Sequence, residues 1–228
     1  YDVPPEALVE ALRQPYDLVV MVNPNSPTGR HMPKSVLAPI LAAAHPRTRI
    51  WIDETYVDFV DPAQSFESLA AASANLIVCK SMSKAYALSG ARVAYLCASP
   101  HQLEELRAWT PPWVVSLPAQ AAAVRALQSP AYYTSRWRET RTLREQFGAA
   151  LRYRGFDVVP GSANFLLTHL QSDQMPADVF VLRCRAHGLF LRDAARMGAK
   201  LGDRAVRFAV KDPTTQRHML TIVDEVLR

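Results

Sequence analysis

Three short segments of this chain combine residue types that can do chemistry, and each directly follows an apolar run. The first reads Asn23, Pro24, Asn25, Ser26, Pro27, Thr28, Gly29. Two prolines and a glycine impose a fixed non-helical turn, and the Asn and Ser side chains offer hydrogen bonds at the end of the preceding run, although the same residues also suit a plain Asx-type turn. The second reads Trp51, Ile52, Asp53, Glu54, Thr55, Tyr56. An acid so placed caps a helix, ligates a metal or balances a buried cation, and its partner decides among these. No histidine or cysteine lies close in sequence to complete a metal site, so none is expected. The third runs from Ser81 through Met82, Ser83, Lys84, Ala85, Tyr86, Ala87, Leu88, Ser89, Gly90 and Ala91 to Arg92. A lysine among small and apolar residues is expected to be partly desolvated and a usable nucleophile toward an aldehyde. Two hydroxyls and an arginine beside it suit a phosphate, while a lysine on a surface loop is the plainer alternative.

The elements that must position these segments are legible as an α/β pattern. Runs at 18–22, 49–52, 75–79 and 91–97 are rich in Val, Ile and Leu and bounded by turn residues, as expected of strands buried on both faces of one mostly parallel sheet. Residues 33–44 and 66–71 supply crossover helices, with right-handed connections. All three segments then fall at strand C-termini, where open α/β sheets bind ligands. After Pro100 three helices follow, at 101–109, 117–128 and 131–154, the last ended by Gly155. Strands at 156–159, 163–168, 189–192 and 206–210, with helices at 177–187 and 214–227, form a smaller second α/β lobe. The division is placed near residue 140, giving domains 1–140 and 141–228.

Composition narrows the function classes. The 228 residues are 49% hydrophobic, enough for a sizeable core, and the formal charge of +5 is spread along the chain instead of gathered in a basic run. Small anionic molecules fit this better than nucleic acid. The three cysteines are odd in number and widely spaced, with neither a disulfide framework nor a paired metal spacing, which points to a reducing compartment. No apolar run is long enough to span a bilayer, and the first residues do not resemble a secretion signal, so a cytoplasmic protein without a membrane partner is expected.

Taken together, the three segments resemble fold type I pyridoxal-phosphate enzymes of aminotransferase class I/II, and within them the histidinol-phosphate aminotransferase and threonine-phosphate decarboxylase branch. The turn is similar to the family's Asn-Pro-x-Asn-Pro-Thr-Gly, the acidic segment to its Asp-Glu-x-Tyr, and the lysine segment to its Ser-x-Ser-Lys with an arginine eight positions later. The resemblance implies that pyridoxal 5'-phosphate is the cofactor and that Lys84 holds its aldehyde and then serves as the base for the substrate's α-proton. It implies that Asp53 pairs with the protonated pyridine nitrogen, that Tyr56 bonds the phenolic oxygen together with Ser26 or, serine being shorter than the family's asparagine, with Asn25 or Asn23, and that Ser81, Ser83 and Arg92 hold the phosphate. Arg207, in Val206-Arg207-Phe208, matches the arginine that clamps the substrate's α-carboxylate. Arg192 matches the arginine that meets a substrate phosphate in this branch, and Asn164 lies in a family-like Ala-Asn-Phe; an arginine at a strand end in a surface pair is the plainer reading of both arginines.

The expected fold is the mostly parallel sheet of the large domain plus a small C-terminal α/β domain, in a homodimer. The expected activity is transfer of an amino group between an amino acid or phosphorylated amine and a 2-oxo acid. A phosphorylated-amino-acid decarboxylase is the alternative, because the segment 110–116, with Trp113, is similar to a Pro-Trp-Ser-Val-type segment of that branch. Ser26 departs from the family's asparagine, and Ala94 from a common glycine. The family's glycine-containing phosphate loop, ring-stacking aromatic and N-terminal arm have no counterpart here, so the expectation includes a fragment that is catalytically incomplete.

Overall fold

Strands β1 (Leu18–Val22), β2 (Arg49–Asp53), β3 (Leu76–Ser81) and β4 (Ala94–Cys97) pair in that order in the computed structural model, which describes residues 1–228. β1, β2 and β3 run parallel, in a register that sets Val22 beside Asp53 and Asp53 beside Cys79; β4 is antiparallel to β3. Three helices, α1 (Pro5–Leu12), α2 (Lys34–Ala42) and α3 (Glu67–Ala72), cover one face. There Leu12, Leu37, Ile40 and Phe66 meet Ile50, Ile52, Leu76 and Val78 in a shared core. Each such side chain contributes about 1.5–3 kcal/mol on burial. Helix α1 is absent from the sequence reading. Its signals are a proline in the first turn and apolar residues at Leu8, Val9 and Leu12, one of which, Leu12, is 1% exposed.

The expectation of strands buried on both faces fails at β1. Val19 and Met21 pack on the helical side, but Leu18 and Val20 are 54% and 61% exposed. β1 is an edge strand whose second face no helix of this chain covers. Only part of the 91–97 run pairs, beginning at Ala94.

Helices α4 (Pro100–Arg107), α5 (Leu117–Leu127) and α6 (Pro130–Tyr153) follow. By its internal contacts the chain divides into Tyr1–Asn25 with Arg30–Trp137, and Ser26–Gly29 with Arg138–Arg228. In the second unit β5 (Asp157–Val158), β6 (Phe165–His169), β8 (Ala205–Ala209) and β7 (Arg192–Asp193) form an antiparallel sheet in that order, so of the 189–192 run only Arg192 is strand. Phe147 and Leu151 of α6, Phe180 and Cys184 of α7 (Ala177–Ala186), and Met219 and Val223 of α8 (Pro213–Leu227) pack on the face bearing Leu166, Val206 and Phe208. Gly155, at φ +87°, ends α6 in the left-handed conformation that glycine adopts without strain. No helix is long and apolar enough to cross a membrane.

Candidate active site

Strand alternation sorts the chemistry of the first unit onto two faces. Ile52 and Val78 point into the helix-covered core, so their neighbours Asp53 and Cys79, paired in register, and then Ser81, point to the other face. Asp53 is half-buried, and its Oδ1 accepts both from the Thr55 N–H (2.9 Å) and from Thr55 Oγ1 (2.5 Å). Both bonds fall on one oxygen, so the Asx turn fixes the carboxylate while Oδ2 stays outside it. Tyr56 follows, buried at 9% exposure. Asn23 is committed to structure, since its amide exchanges two 2.9 Å hydrogen bonds with the backbone of Met32. Asn25 is half-buried, and its N–H donates to the Arg30 carbonyl at 2.8 Å.

Ser81 and Ser83 share a 2.8 Å hydroxyl–hydroxyl hydrogen bond. The β3–β4 pairing, extended by the Met82 N–H to the Val93 carbonyl (3.2 Å), returns Arg92 to the level of these serines. Arg92 sits at φ +53° and donates through Nη1 to the Ser89 carbonyl at 2.9 Å. A non-glycine residue in that region costs on the order of 1 kcal/mol, the kind of strain that collects at ligand clamps. The Lys84 side chain is exposed, and its amine has no hydrogen-bond or ion-pair partner within the chain. The expected desolvation is absent, because Lys84 lies three residues beyond the end of β3. Its loop is nonetheless fixed. Trp137 Nε1 donates to the Ala85 carbonyl at 2.7 Å, and Tyr86 packs against the rings of Tyr133 and Trp137.

The second unit carries a separate set on the sheet face opposite Val206 and Phe208. Arg207 is paired with Arg192 across β8 and β7 and with Leu167 across β8 and β6. Its guanidinium lies 4.8 Å from the Phe165 ring centroid, and its Nη1 donates to Ser26 Oγ at 3.0 Å. Two arginines directly opposite each other repel, a cost that an anion removes. Arg192 is exposed in a groove of about 870 Å³ that also contains Arg185, Arg196 and Phe190. Asn164 is half-buried, and its carbonyl accepts from the Val210 N–H at 2.9 Å. The turn joins this unit through glycine: a Cβ on Gly29, which sits at φ +70°, would meet Gly161 Cα at 3.1 Å, and the Ser162 N–H reaches the Gly29 carbonyl at 2.7 Å.

The sequence model of the family "Aminotransferase class I and II" matches residues 2–223. This chain belongs to that family. Histidinol-phosphate aminotransferase 2 of Ralstonia nicotianae is 31% identical over 195 residues, covering 85% of this chain and 52% of that protein. The chain thus spans about half the length of the curated relatives it matches. The crystal structure of L-threonine-O-3-phosphate decarboxylase from Porphyromonas gingivalis superimposes with a TM-score of 0.81 at 26% identity, over 92% of this chain and 64% of that one. That of histidinol-phosphate aminotransferase from Sinorhizobium meliloti, a complex with pyridoxal-5'-phosphate, gives 0.88 at 24% identity, over 99% and 61%. At that identity the likeness speaks for the fold.

This class I/II chain also holds a buried polar network absent from the sequence reading. Lys80, on the core side of β3, is 4% exposed and pairs with Asp58 at 3.1 Å and Glu67 at 3.5 Å. Tyr95 OH donates to Glu67 Oε1 at 2.6 Å, and the fully buried Glu54 accepts from Ser65 Oγ and the Phe66 N–H, both at 2.6 Å. Burial raises the Glu54 and Asp58 carboxyls above their ordinary values, against the lowering by Lys80. The only sequence signal was a lysine at a core-facing strand position. Lys80→Met leaves Asp58 buried without its cation and is expected to destabilise by about 3–5 kcal/mol. A carboxyl with a raised folded-state pKa stabilises most below its unfolded pKa and loses that contribution as pH rises through the folded one. The gap between Lys80→Met and the parent should therefore shrink on acidification, as read from unfolding midpoints between pH 8 and pH 5. A gap independent of pH would refute the charge argument.

Proposed function

We propose that this chain acts in a pyridoxal-phosphate-dependent aminotransferase, which moves an amino group between an amino acid or phosphorylated amine and a 2-oxo acid. One observation carries the reading: Asp53 and Ser81 share a face at neighbouring strand ends, and the unpaired Lys84 leaves on the loop directly after β3. The donor set fits the cofactor. The Asp53 Oδ2, outside its own turn, would hold the ring nitrogen protonated, and Tyr56 with Asn25 or Ser26 would bond the phenolic oxygen. Ser81 and Ser83, already within hydrogen-bond reach of each other, and the cation of Arg92 would hold the phosphate. When bound, the cofactor supplies an electron sink for the substrate's α-carbon.

In this reading Lys84 would hold the cofactor's aldehyde end and would carry the substrate's α-proton as general base. Arg207, braced by Phe165 and Ser26, would hold the α-carboxylate through its planar fork. Arg192 would meet a phosphate at the far end of a histidinol-phosphate-like substrate, with Asn164 beside the substrate. A second reading, decarboxylation of a phosphorylated amino acid, is favoured by the likeness to the Porphyromonas decarboxylase at 26% identity. Trp113 adds nothing as a core residue, being 93% exposed. With Trp109 and Leu117, at 87% and 77%, it instead supports a homodimer, which we propose for the cytoplasm.

The test is a single half-reaction on the holoprotein. An aminotransferase converts histidinol phosphate or L-glutamate to the oxo product and leaves the aminated cofactor; a decarboxylase releases carbon dioxide from phosphothreonine. Absence of both would overturn the proposal. Within it, Arg192→Ala is expected to slow the half-reaction of histidinol phosphate roughly tenfold or more, the scale of a lost charged hydrogen bond, while sparing L-glutamate. Equal slowing of both, or of neither, refutes the phosphate role.

A further inference from the structure

Arg144 of α6 is half-buried, and one of its terminal nitrogens, Nη1, donates to two successive carbonyls, Ser162 at 2.8 Å and Ala163 at 3.2 Å. Those carbonyls lead directly into Asn164 and Phe165, and the Phe165 ring is the plate beneath the Arg207 guanidinium. The Ser162 N–H also holds the Gly29 carbonyl, at the end of the turn whose Ser26 accepts from Arg207. In this stretch Gly161 packs against Gly29 and Thr28, and Ser162 is half-buried. Arg144 thus holds the segment that leads into Phe165, and Ser162 of that segment bonds the turn that carries Ser26. Burial lowers the Arg144 pKa from the ordinary arginine range, a cost offset by carbonyls that would otherwise lack a charged donor.

We infer that Arg144 is a positioning residue for Arg207, setting the direction of its fork and hence the affinity of the site for a substrate carboxylate. The inference rests on the proposed role of Arg207. In the holoprotein, Arg144→Gln is expected to raise KM for L-glutamate, and the calorimetric Kd for 2-oxoglutarate, roughly tenfold, the scale of one charged hydrogen bond. Turnover at saturation and cofactor occupancy should stay within about twofold, because uniform binding alone is lost. Arg144→Lys, which retains a charged donor, should recover most of the affinity and serves if the glutamine variant does not fold. Unchanged KM and Kd, or kcat and occupancy falling in step with them, would overturn the positioning role in favour of a merely structural one. Arg207→Lys is measured beside them. If it weakens both ligands and Arg144→Gln does not, the positioning inference fails alone; if it weakens neither, the carboxylate role of Arg207 fails and takes the inference with it.

Discussion

Lys84→Ala should lower turnover of the holoprotein by on the order of 10⁴-fold or more, since one side chain is proposed both to hold the cofactor's aldehyde and to move the α-proton. Lys80 cannot take its place. That amine is 4% exposed, is held by Asp58 and Glu67, and points to the opposite face of β3 from Ser81. The variant should fold as the parent does, because an exposed side chain without partners contributes within about 0.5 kcal/mol. The check is covalent. Borohydride treatment of the parent, followed by denaturation and mass analysis, should leave the cofactor's mass on the peptide that carries Lys84 and none on the variant. Labelling of another lysine would sink the assignment of Lys84, and an unlabelled parent would sink the proposed cofactor itself.

How much of this was readable beforehand follows from which interactions are local. Prolines, glycines and strand-end polar residues act on their own neighbours, so the turn at Asn23 to Gly29 and the loop from Ser81 to Arg92 could be placed at strand ends from the sequence. Burial is not local. The reading gave β1 two covered faces because Leu18, Val20 and Val22 look the same whether or not a helix lies over them, and it gave Lys84 a desolvated setting from apolar neighbours that turn elsewhere. The ion network of Lys80 joins Asp58, Glu67 and Tyr95 from three different elements, a meeting that periodicity does not encode. An asparagine's amide partners cannot be read from its sequence neighbours, and for Asn23 it is Met32, nine residues on, that takes both. Arg144 carried no sign either, since an arginine on an amphipathic helix is usually solvated.

Asp53→Asn should separate catalysis from cofactor retention. Thr55 donates from both its N–H and its hydroxyl to a single oxygen of Asp53, so the asparagine side chain must offer its carbonyl oxygen there to keep the two bonds. The amide NH₂ is then forced into the position of Oδ2. An acceptor with negative charge becomes a donor without it, and a donor cannot stabilise a protonated ring nitrogen. Asp53 would lose its hold on the ring nitrogen where charge develops during α-proton transfer, and removing one such electrostatic contact costs roughly 10²–10³-fold in turnover. Retention is proposed to depend on other groups: Lys84 at the aldehyde, and Ser81, Ser83 and Arg92 at the phosphate. Occupancy, read from the absorbance of the dialysed protein, should therefore fall by less than about threefold, and the fold should survive because both Thr55 bonds do. Turnover equal to the parent's would remove Asp53 from the ring nitrogen. A parallel loss of turnover and occupancy would make it a residue of the scaffold, with its Asx turn as its whole role.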